Sequence, residues 1–435
     1  MHDSEFAAPV VPPGSLARAA RTAAIPLVLI VSLFFLWGVA NSLNDILIKQ
    51  FKKAFELSDF QAGLVQSAFY LGYFVFALPA GMFMRRHGYK GAVVAGLVLY
   101  AAGAFLFWPA ASAHAYGLFL LALFVLASGL AFLETSANPL MTVLGAPEGA
   151  ARRLNLAQAF NPLGAITGVL VGRHFILSGV EHTPEQLAAM EPAARTAYLA
   201  AESAAVQLPY LVIGLVVSVW ALLVLLARFP RTTADDGPVA TRSAGATLRL
   251  LAGNGRFVFS VVAQFFYVGA QVAVWSFLIR YAQDSIPGMP EKTAADYLTA
   301  SLVLFMLGRF AGTALLRRVA PSPLLAVFAA ANVLLAGVAI ALPGTVGLYA
   351  LVGLSFFMSV MFPTIFALGL DGLDHDARKF GSSLLVMSII GGAVLAAATG
   401  LASDVAGIHN AMAVPLLCFA VILAFALRAR GQWRA

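Results

Sequence analysis

The stretch SLFFLWGVANSLNDILIKQ, residues Ser32–Gln50, decides the fold class of this chain. It begins with an apolar run and then places Asn41 and Asp45 inside a segment that otherwise has the composition of a membrane span. These two residues are four apart, so on a helix they share one face, with Trp37 one turn earlier. An ionisable group at bilayer depth is costly, so this face indicates either a site for a sugar and a proton or a polar cluster that holds helices together.

Composition extends this interpretation to the whole chain. Hydrophobic residues make up 61% of its 435 residues and charged residues 11%, which is more apolar surface than one or two soluble cores can bury. Twelve apolar segments lie at residues 24–50, 61–84, 91–110, 115–143, 156–178, 207–228, 256–282, 295–317, 322–342, 346–371, 380–401 and 409–428. Each is about long enough to cross a bilayer, so the sequence predicts an all-α polytopic membrane protein with twelve transmembrane helices.

The longest polar connection between apolar segments divides the chain into two halves. A weak internal repeat supports the division, because GMFMRRHGYK follows the second segment and GTALLRRVAP follows the eighth. Secondary transporters are often built from two similar halves with the substrate site between them. The predicted units are a disordered cytosolic tail (1–23), an N-terminal six-helix bundle (24–228), a cytosolic linker (229–255), a C-terminal six-helix bundle (256–428) and a second tail (429–435).

Basic residues predict the orientation of the chain. Nineteen of the 27 Lys and Arg fall on the side that holds both termini, so the positive-inside rule places both termini in the cytoplasm. The net charge of +7 therefore reflects topology and does not indicate a nucleic-acid partner. Cys418 is the only cysteine, and the sequence has no nucleotide-binding loop, nucleophile motif or metal-ligand spacing. We expect no cofactor and no metal.

A second intramembrane acid, Glu134, lies in ALFVLASGLAFLETSANPL. Asn138 follows it by four residues and shares its helix face. Asp45 and Glu134 are expected at different depths of the membrane, an arrangement that suits a proton relay. The alternative is a protonated carboxyl that is only hydrogen-bonded inside the bundle.

Amides form a polar stripe in the fifth segment, RRLNLAQAFNPLGAITG. Asn155, Gln158 and Asn161 are three residues apart. Amide groups both donate and accept hydrogen bonds, as sugar hydroxyls require. The stripe predicts sugar contacts at Gln158 and Asn161, although amides also bond neighbouring helices.

The seventh segment carries amides and aromatic rings on one face. Gln264, Tyr267, Gln271 and Trp275 follow one another at spacings of three, four and four. Rings that stack on a sugar and amides that read its hydroxyls are typical of a binding site, and a packed aromatic core is the alternative. In the eighth segment Arg309 is a basic residue deep in a span, where it either braces the bundle or has a role in gating or in holding an acid.

Taken together, these residues resemble the fucose–galactose–glucose proton symporters of the major facilitator superfamily. The resemblance covers nearly the whole chain, in FFLWGVANSLNDIL, FQAGLVQSAFYLGYF, FLETSANPLMTVLG, RLNLAQAFN, AQFFYVGAQVAVWSFLIRYA, GRFAGT, FPTIFALG and GSSLLVMSIIGG. It implies two pseudo-symmetric six-helix bundles that rock around a central cavity. It also implies that Asp45 contributes to sugar binding and coupling, that Glu134 takes up and releases the proton, and that Gln158 and Asn161 contact the sugar.

Two departures from the family bear on which sugar is transported. Ser42 replaces an amide beside the acid, and Phe362 lacks the hydroxyl that the L-fucose branch has at this position, as in the glucose and galactose branch. The seventh segment resembles the L-fucose branch more closely. The resemblance implies uptake of L-fucose or a related hexose with protons, by a monomer in the bacterial inner membrane, with no nucleotide and no nucleic acid. Glucose or galactose uptake is the alternative, and a proton-driven exporter and a polytopic membrane enzyme are further alternatives.

Overall fold

The computed structural model describes residues 13–57, 59–144, 146–176, 182, 184–227, 229 and 242–430. The first half contains α1 (Pro13–Ala54), α2 (Asp59–Ser112), α3 (Tyr116–Val143), α4 (Ala150–Gln158), α5 (Phe160–Val171), α6 (Pro184–Ala189), α7 (Pro192–Ala204) and α8 (Gln207–Leu226). The second half contains α9 (Ala244–Gly253), α10 (Gly255–Ser285), α11 (Glu291–Leu315), α12 (Pro321–Ala341), α13 (Thr345–Met358), α14 (Met361–Leu370), α15 (His375–Met387), α16 (Gly391–Ala406), α17 (Ile408–Ala411) and α18 (Ala413–Arg430). The predicted all-α class is confirmed.

The helices of the described residues supply twelve membrane crossings. Eleven stretches are long and apolar enough to cross a bilayer, and one of them, Leu64–Ser112, is 49 residues long. A single crossing needs only ~20 residues. This stretch lies in α2, which is interrupted at Gly88 (φ 73°, ψ 176°), so it provides two crossings. Glycine tolerates this backbone conformation because it has no Cβ.

A second interruption shapes the tenth crossing, which consists of α13 and α14. The two helices are separated at Ser359 and Val360. Pro363 explains the break, because its ring clashes with the carbonyl four residues earlier and it has no N–H to donate. The break leaves Phe362 in the first turn of α14, buried in the protein.

Each half packs as a bundle, and the two bundles use the same pairs of crossings. In the first bundle α1 packs along α5, and the second part of α2 packs along α8 with Phe107 stacked on Tyr210 at 3.7 Å between ring centroids. In the second bundle α10 packs along α16, and α12 packs along α18. These are the first and fifth, then third and sixth, crossings of each half. The predicted pair of pseudo-symmetric six-helix bundles is confirmed.

Glycines allow α1 and α5 to approach closely. A Cβ atom on Gly164 would collide with the backbone oxygen of Phe35, and one on Gly38 would collide with that of Asn161. The contact brings Trp37 and Asn161, two of the predicted site residues, to the same part of the first bundle.

Both predicted non-membrane segments contain helix. α1 begins at Pro13, so residues 13–23 of the predicted disordered tail are helical, as expected from their alanine and arginine residues. α9 lies within the predicted linker at 229–255, and Ser243 caps it by accepting a hydrogen bond from the Ala246 N–H. Residues 1–12, 230–241 and 431–435 of the predicted tails and linker lie outside the described residues.

Contacts between the bundles bring together the ends of particular helices. α15 packs against α2 and α3, whereas α14 and α11 pack against α4. Arg85 on α2 and Asp376 on α15 meet at this end of the molecule, which we call the Arg85 end.

Candidate functional site

Glu134 lies in the most deeply buried part of α3, where every residue from Leu126 to Thr142 is buried. Its side chain is 1% exposed, and neither carboxyl oxygen has a hydrogen-bond partner among the described residues. The amide nitrogen of Asn138 is close to this carboxyl but does not reach hydrogen-bond geometry. A buried carboxyl without partners is costly, which distinguishes Glu134 from a group that only ties helices together.

A small gap separates the Glu134 carboxyl from α1. It is lined by Leu33, Phe34 and Trp37 of α1 and by Leu133, Glu134 and Ala137 of α3, and its volume of about 10 Å³ is close to the least that can hold one water molecule. The Trp37 indole N–H and the Tyr73 hydroxyl also lack partners within the described part of the chain. Tyr73 is near both Trp37 and Glu134. We call Trp37, Tyr73, Glu134 and Asn138 the central cluster.

Tyr73 is absent from the predicted site. It belongs to FQAGLVQSAFYLGYF, where it is one aromatic residue among several in an apolar run. The one feature of the sequence that could indicate a role for Tyr73 is its hydroxyl. This polar group lies within a predicted span and needs a hydrogen-bond partner there. Sequence spacing does not reveal that this hydroxyl faces the acid on another helix.

Amides connect the central cluster to the second bundle. Gln158 donates a hydrogen bond from Nε2 to Asn138 Oδ1 at 3.1 Å. Arg309 on α11 donates from Nη1 to Gln158 Oε1 at 3.2 Å and to the Gln158 backbone oxygen at 3.1 Å. The guanidinium of Arg309 also lies 4.7 Å from the centroid of the Phe305 ring. Arg309, the basic residue predicted to be deep in a span, thus bridges the two bundles.

The other predicted residues of the first bundle lie near this chain of amides. Asn161 is half-buried and donates from Nδ2 to the backbone oxygen of Phe34 at 3.3 Å, next to the gap. Asn41 is half-buried on α1. The backbone of Asp45 belongs to α1, but its side chain lies outside the described part of the structure.

On the second bundle, α10 presents the predicted polar face in two parts. Gln264 and Tyr267 are completely buried, and the Gln264 amide and the Tyr267 hydroxyl have no partner among the described residues. Gln271 and Trp275 are half-buried one and two turns further. The Trp275 indole donates to Ser355 Oγ at 3.0 Å, and its ring lies 5.0 Å from that of Phe305. Trp275 therefore has a packing role whatever its role in binding.

Phe362 completes the aromatic lining. Its ring lies 6.1 Å from that of Tyr267 in an edge-to-face arrangement and is 9% exposed. Tyr267 is also near Arg309. The structure therefore brings Tyr267, Phe362, Arg309 and Gln158 into one region, where the tenth crossing is interrupted.

A second polar group, which we call the Arg85 cluster, consists of Arg85, Arg242, Asp374 and Asp376. Arg85 on α2 donates to both carboxylate oxygens of Asp376 on α15 at 2.6 Å, and it donates to the backbone oxygen of Arg242 at 2.5 Å. Arg242 in turn pairs with Asp374 at 2.5 Å. Partial burial disfavours the charged form of Asp374, but the Ala377 N–H and Arg242 hold its pKa below the usual value. The cluster joins the two bundles at the Arg85 end.

A further contact also joins the two bundles near the Arg85 end. Ser382 Oγ on α15 lies 2.9 Å from the backbone oxygen of Thr135 on α3 and 2.8 Å from that of Lys379 on its own helix, so its hydroxyl can donate to either oxygen. Thr135 is the residue after Glu134. This contact connects α15, which carries Asp376 of the Arg85 cluster, directly to the helix that carries the buried acid.

Fold and site together define a polytopic membrane protein of two bundles, with a buried acid in the first bundle that amides connect to the second. Residues 27–397 match the Major Facilitator Superfamily, so the chain belongs to this family. It is 49% identical to the L-fucose-proton symporter of Escherichia coli (strain K12), covering 96% of this chain and 95% of that protein. It is 38% identical to a glucose/galactose transporter of Brucella abortus biovar 1 (strain 9-941), covering 91% of this chain and 92% of that protein.

A solved structure agrees with these relatives. The crystal structure of the transporter FucP in the outward conformation superposes with a TM-score of 0.88 at 49% identity, covering 94% of this chain and 99% of that chain. The predicted resemblance to the fucose–galactose–glucose proton symporters is confirmed. The prediction of a transporter rather than an enzyme is confirmed as well, because these relatives are transporters.

Proposed function

We propose that this chain is a proton-coupled sugar symporter that takes up L-fucose by alternating access. The relatives that are L-fucose-proton symporters, from Escherichia coli and Haemophilus influenzae, are 49% and 36% identical to it. The central cluster and the amides beside it have the chemistry this reaction needs, namely a carboxyl for a proton and amides for sugar hydroxyls.

One observation carries the proposal, which is the unpartnered carboxyl of Glu134 beside a gap of about one water molecule. A carboxyl that is only structural would be expected to hold hydrogen bonds inside the bundle. Glu134 instead faces Trp37 across the gap, with the Tyr73 hydroxyl nearby, and neither of these two donors has a partner among the described residues. In our proposal Glu134 takes up and releases the coupling proton.

The sugar is assigned to the region between the central cluster and α10. Gln158 and Asn138 are already joined to each other, and Gln158 is held by Arg309 from the other bundle. A sugar that bonds with Gln158, Gln264 or Tyr267 changes the contacts between the bundles, which is how binding energy can favour one conformation over another. Asn41, Asn161, Gln271, Trp275 and Phe362 are the further proposed contacts, and Asp45 keeps the sugar-binding and coupling role that the resemblance implies.

We also propose an orientation and a state. Both termini face the cytoplasm of a bacterial cell, and the Arg85 end is the cytoplasmic end of a monomer in the inner membrane. The Arg85 cluster closes this end, in keeping with the similarity to FucP in its outward conformation. The proposed state is therefore outward-facing, with sugar and proton entering from the opposite side.

Glucose or galactose is the second candidate substrate. Phe362 has no hydroxyl to offer a sugar, and relatives that are glucose/galactose transporters are 38% identical to this chain. The two candidates differ in substrate and share the mechanism.

The test is radiolabelled uptake by the purified full chain in proteoliposomes, with an imposed pH gradient and a panel of L-fucose, D-galactose and D-glucose. Accumulation of L-fucose above equilibrium, abolished by a protonophore, is expected. Accumulation of D-galactose or D-glucose alone would establish the second candidate. Gradient-driven efflux of sugar without uptake would indicate an exporter. If the pH gradient drives transport of none of the three sugars, the proposal is contradicted.

A further inference from the structure

An apolar groove lies on the second bundle at the Arg85 end. Its volume is about 500 Å³, within the range of pockets that hold small ligands. Three helices form it, and among its lining residues are Leu248 and Leu251 of α9, Val258 and Val262 of α10, and Leu384 and Met387 of α15. None of these residues belongs to the central cluster or to the Arg85 cluster. The groove is therefore a separate feature of the molecule.

The dimensions of the groove fit one leaflet of a bilayer. Its lining on α10 extends from Phe257 to Phe266, which at ~1.5 Å per residue is about 14 Å along the helix. The apolar thickness of one leaflet is about 15 Å, half of the ~30 Å hydrocarbon core. The stretch of α10 that is long and apolar enough to cross a bilayer begins at Gly255, and this placement puts the groove between the interface and the middle of the membrane.

α9 lies at the mouth of the groove and has an amphipathic character. Leu248, Leu251 and Ala252 are spaced three and four apart, so they share the face that lines the groove. The helix packs on both α10 and α15. Its place immediately before a membrane crossing is that of an interfacial helix, which lies at the level of the lipid headgroups.

α9 also carries an exposed arginine, Arg249. Arg249 is exposed and makes no hydrogen bond or ion pair with any described residue. The neighbouring arginines differ, because Arg242 pairs with Asp374 and Arg256 pairs with Asp371 at 2.9 Å. Among the described residues nothing competes with an anion for Arg249 at the headgroup level, beside a groove whose lining is almost entirely apolar.

We propose that the groove binds an anionic phospholipid, with one acyl chain in the groove and the phosphate paired with Arg249. Apolar lining, leaflet depth and an exposed arginine at the mouth that has no partner among the described residues together match a lipid with a charged headgroup better than a peptide or a neutral apolar molecule. The acyl chain contacts Leu384 and Met387 of α15, the helix whose first turn holds Arg85 through Asp376. The lipid therefore touches the same helix that closes the Arg85 end.

The experiment uses the full chain in nanodiscs of phosphatidylcholine that contain a trace of a photoreactive lipid. The probe is either phosphatidylglycerol or phosphatidylcholine, each with a diazirine on one acyl chain, and adducts are located by mass spectrometry of peptides. We expect adducts to concentrate on the peptides of α9 and the first half of α10. The yield there with phosphatidylglycerol should exceed that with phosphatidylcholine about fivefold, as expected for one basic residue near the membrane surface.

Two variants and a control separate the parts of the proposal. Arg249→Gln should lower the phosphatidylglycerol yield at the groove to that of phosphatidylcholine. Val262→Trp fills the groove and should lower the yield there for both probes. Leu307→Trp places the same side chain on an exposed position of α11 outside the groove and should change neither.

Three results would overturn the proposal. The first is an even spread of adducts over all lipid-facing helices. The second is an equal yield for the two probes at the groove that Arg249→Gln leaves unchanged. The third is protein–protein crosslinking through the groove in place of lipid adducts, which would assign it to a second copy or to the chain's own segment at residues 228–241.

Discussion

The central cluster and the Arg85 cluster are both polar groups in an apolar protein, but their atoms are satisfied to very different degrees. In the Arg85 cluster, Arg85 binds both oxygens of Asp376 and a backbone oxygen. In the central cluster, both oxygens of Glu134 and the donors of Trp37 and Tyr73 lack partners in the described residues. Leaving a buried polar group unpaired costs about 1–3 kcal/mol. The first cluster therefore stabilises the observed conformation, whereas the second one destabilises it until a ligand arrives.

This difference has a mechanical consequence under the proposed function. The bonds of the Arg85 cluster must break for the molecule to open at that end, and some other interaction has to compensate for them. A sugar and a proton that complete the central cluster supply such interactions, because they satisfy groups that have no partner among the described residues. Ser382, whose hydroxyl can donate to the backbone oxygen of Thr135 next to Glu134, connects the two clusters through adjacent residues.

The largest expected effect is on proton coupling, and it tests the central cluster at Glu134. Glu134→Gln keeps the size of the side chain but can neither gain nor lose a proton. We expect exchange of sugar between loaded vesicles to continue and gradient-driven accumulation to fall to the equilibrium level. The measurement is paired exchange and uptake in proteoliposomes at several pH values. Glu148→Gln, at an exposed acid in the turn after α3, is the control and should accumulate sugar normally. Accumulation by the Glu134→Gln variant would move the coupling site elsewhere, most directly to Asp45.

The second effect concerns the paired cluster. Arg85→Ala and Asp376→Asn each break the bidentate ion pair between these two side chains, of which Arg85 is 5% exposed and Asp376 17%. Each variant should shift the conformational equilibrium away from closure at this end by about 2 kcal/mol, or ~30-fold. Distances between spin labels at Glu148→Cys and Arg317→Cys would report the opening. Arg86→Ala, at the exposed neighbour, should have no effect.

A double-variant cycle makes this prediction specific. If the two residues act through each other, the double variant should open the Arg85 end little more than either single variant does. Additive effects, or unchanged distances in both single variants, would show that the cluster does not hold the end closed.

The sequence predicts the fold well because membrane spans have a strong local signal. The predicted segment 115–143 corresponds to α3 at Tyr116–Val143, and the segment 322–342 corresponds to α12 at Pro321–Ala341. Proline also has a local effect, and the helix break before Pro363 agrees with it. Helix beyond the spans, at residues 13–23 and in α9, is missed because neither stretch has an apolar run long enough to predict a span.

The site is predicted only where its parts lie on one helix. The spacing of four between Glu134 and Asn138 is visible in the sequence, and so is the place of Gln158 on the next crossing. The bond from Arg309 to Gln158 spans 151 residues, and that from Arg85 to Asp376 spans 291, so no local pattern contains either pair. Tyr73 is missed for the same reason, because its neighbours Trp37 and Glu134 lie on other helices.

The third prediction concerns the buried side-chain amide of Gln264, which either binds the sugar or only lowers the stability of the protein. Gln264→Leu replaces a buried amide that has no partner by an apolar side chain of similar size. The sugar-free protein should gain about 1 kcal/mol in the free energy of unfolding, because a desolvated polar group is removed. Sugar affinity should fall about tenfold, the loss of one hydrogen bond to a buried partner. Thermal unfolding and equilibrium sugar binding on the same preparation measure both quantities.

Asn332 provides the matched control for this test. Its amide is also completely buried and unpaired among the described residues, but it lies on α12, which packs on α18 and α13. Asn332→Leu should therefore stabilise the protein and leave sugar affinity unchanged. Equal behaviour of the two leucine variants in sugar binding would remove Gln264 from the proposed site.

The smallest expected effect concerns which sugar completes the site. Phe362→Tyr adds one hydroxyl beside the Tyr267 ring, in the region where the tenth crossing is interrupted. A hydrogen bond that forms with only one of two sugars is worth about 1 kcal/mol, so the preference for L-fucose over D-galactose should rise about fivefold. Competition of the two sugars during uptake measures the ratio directly. Phe357→Tyr, at a half-buried ring of the same crossing that packs on Phe328 at 5.3 Å, is the matched control and should leave the ratio unchanged. If both variants shift the ratio equally, the change arises from altered packing of the crossing. If neither does, Phe362 does not contact the sugar, and the region that discriminates between hexoses has to be sought along α10, at Gln271 and Trp275.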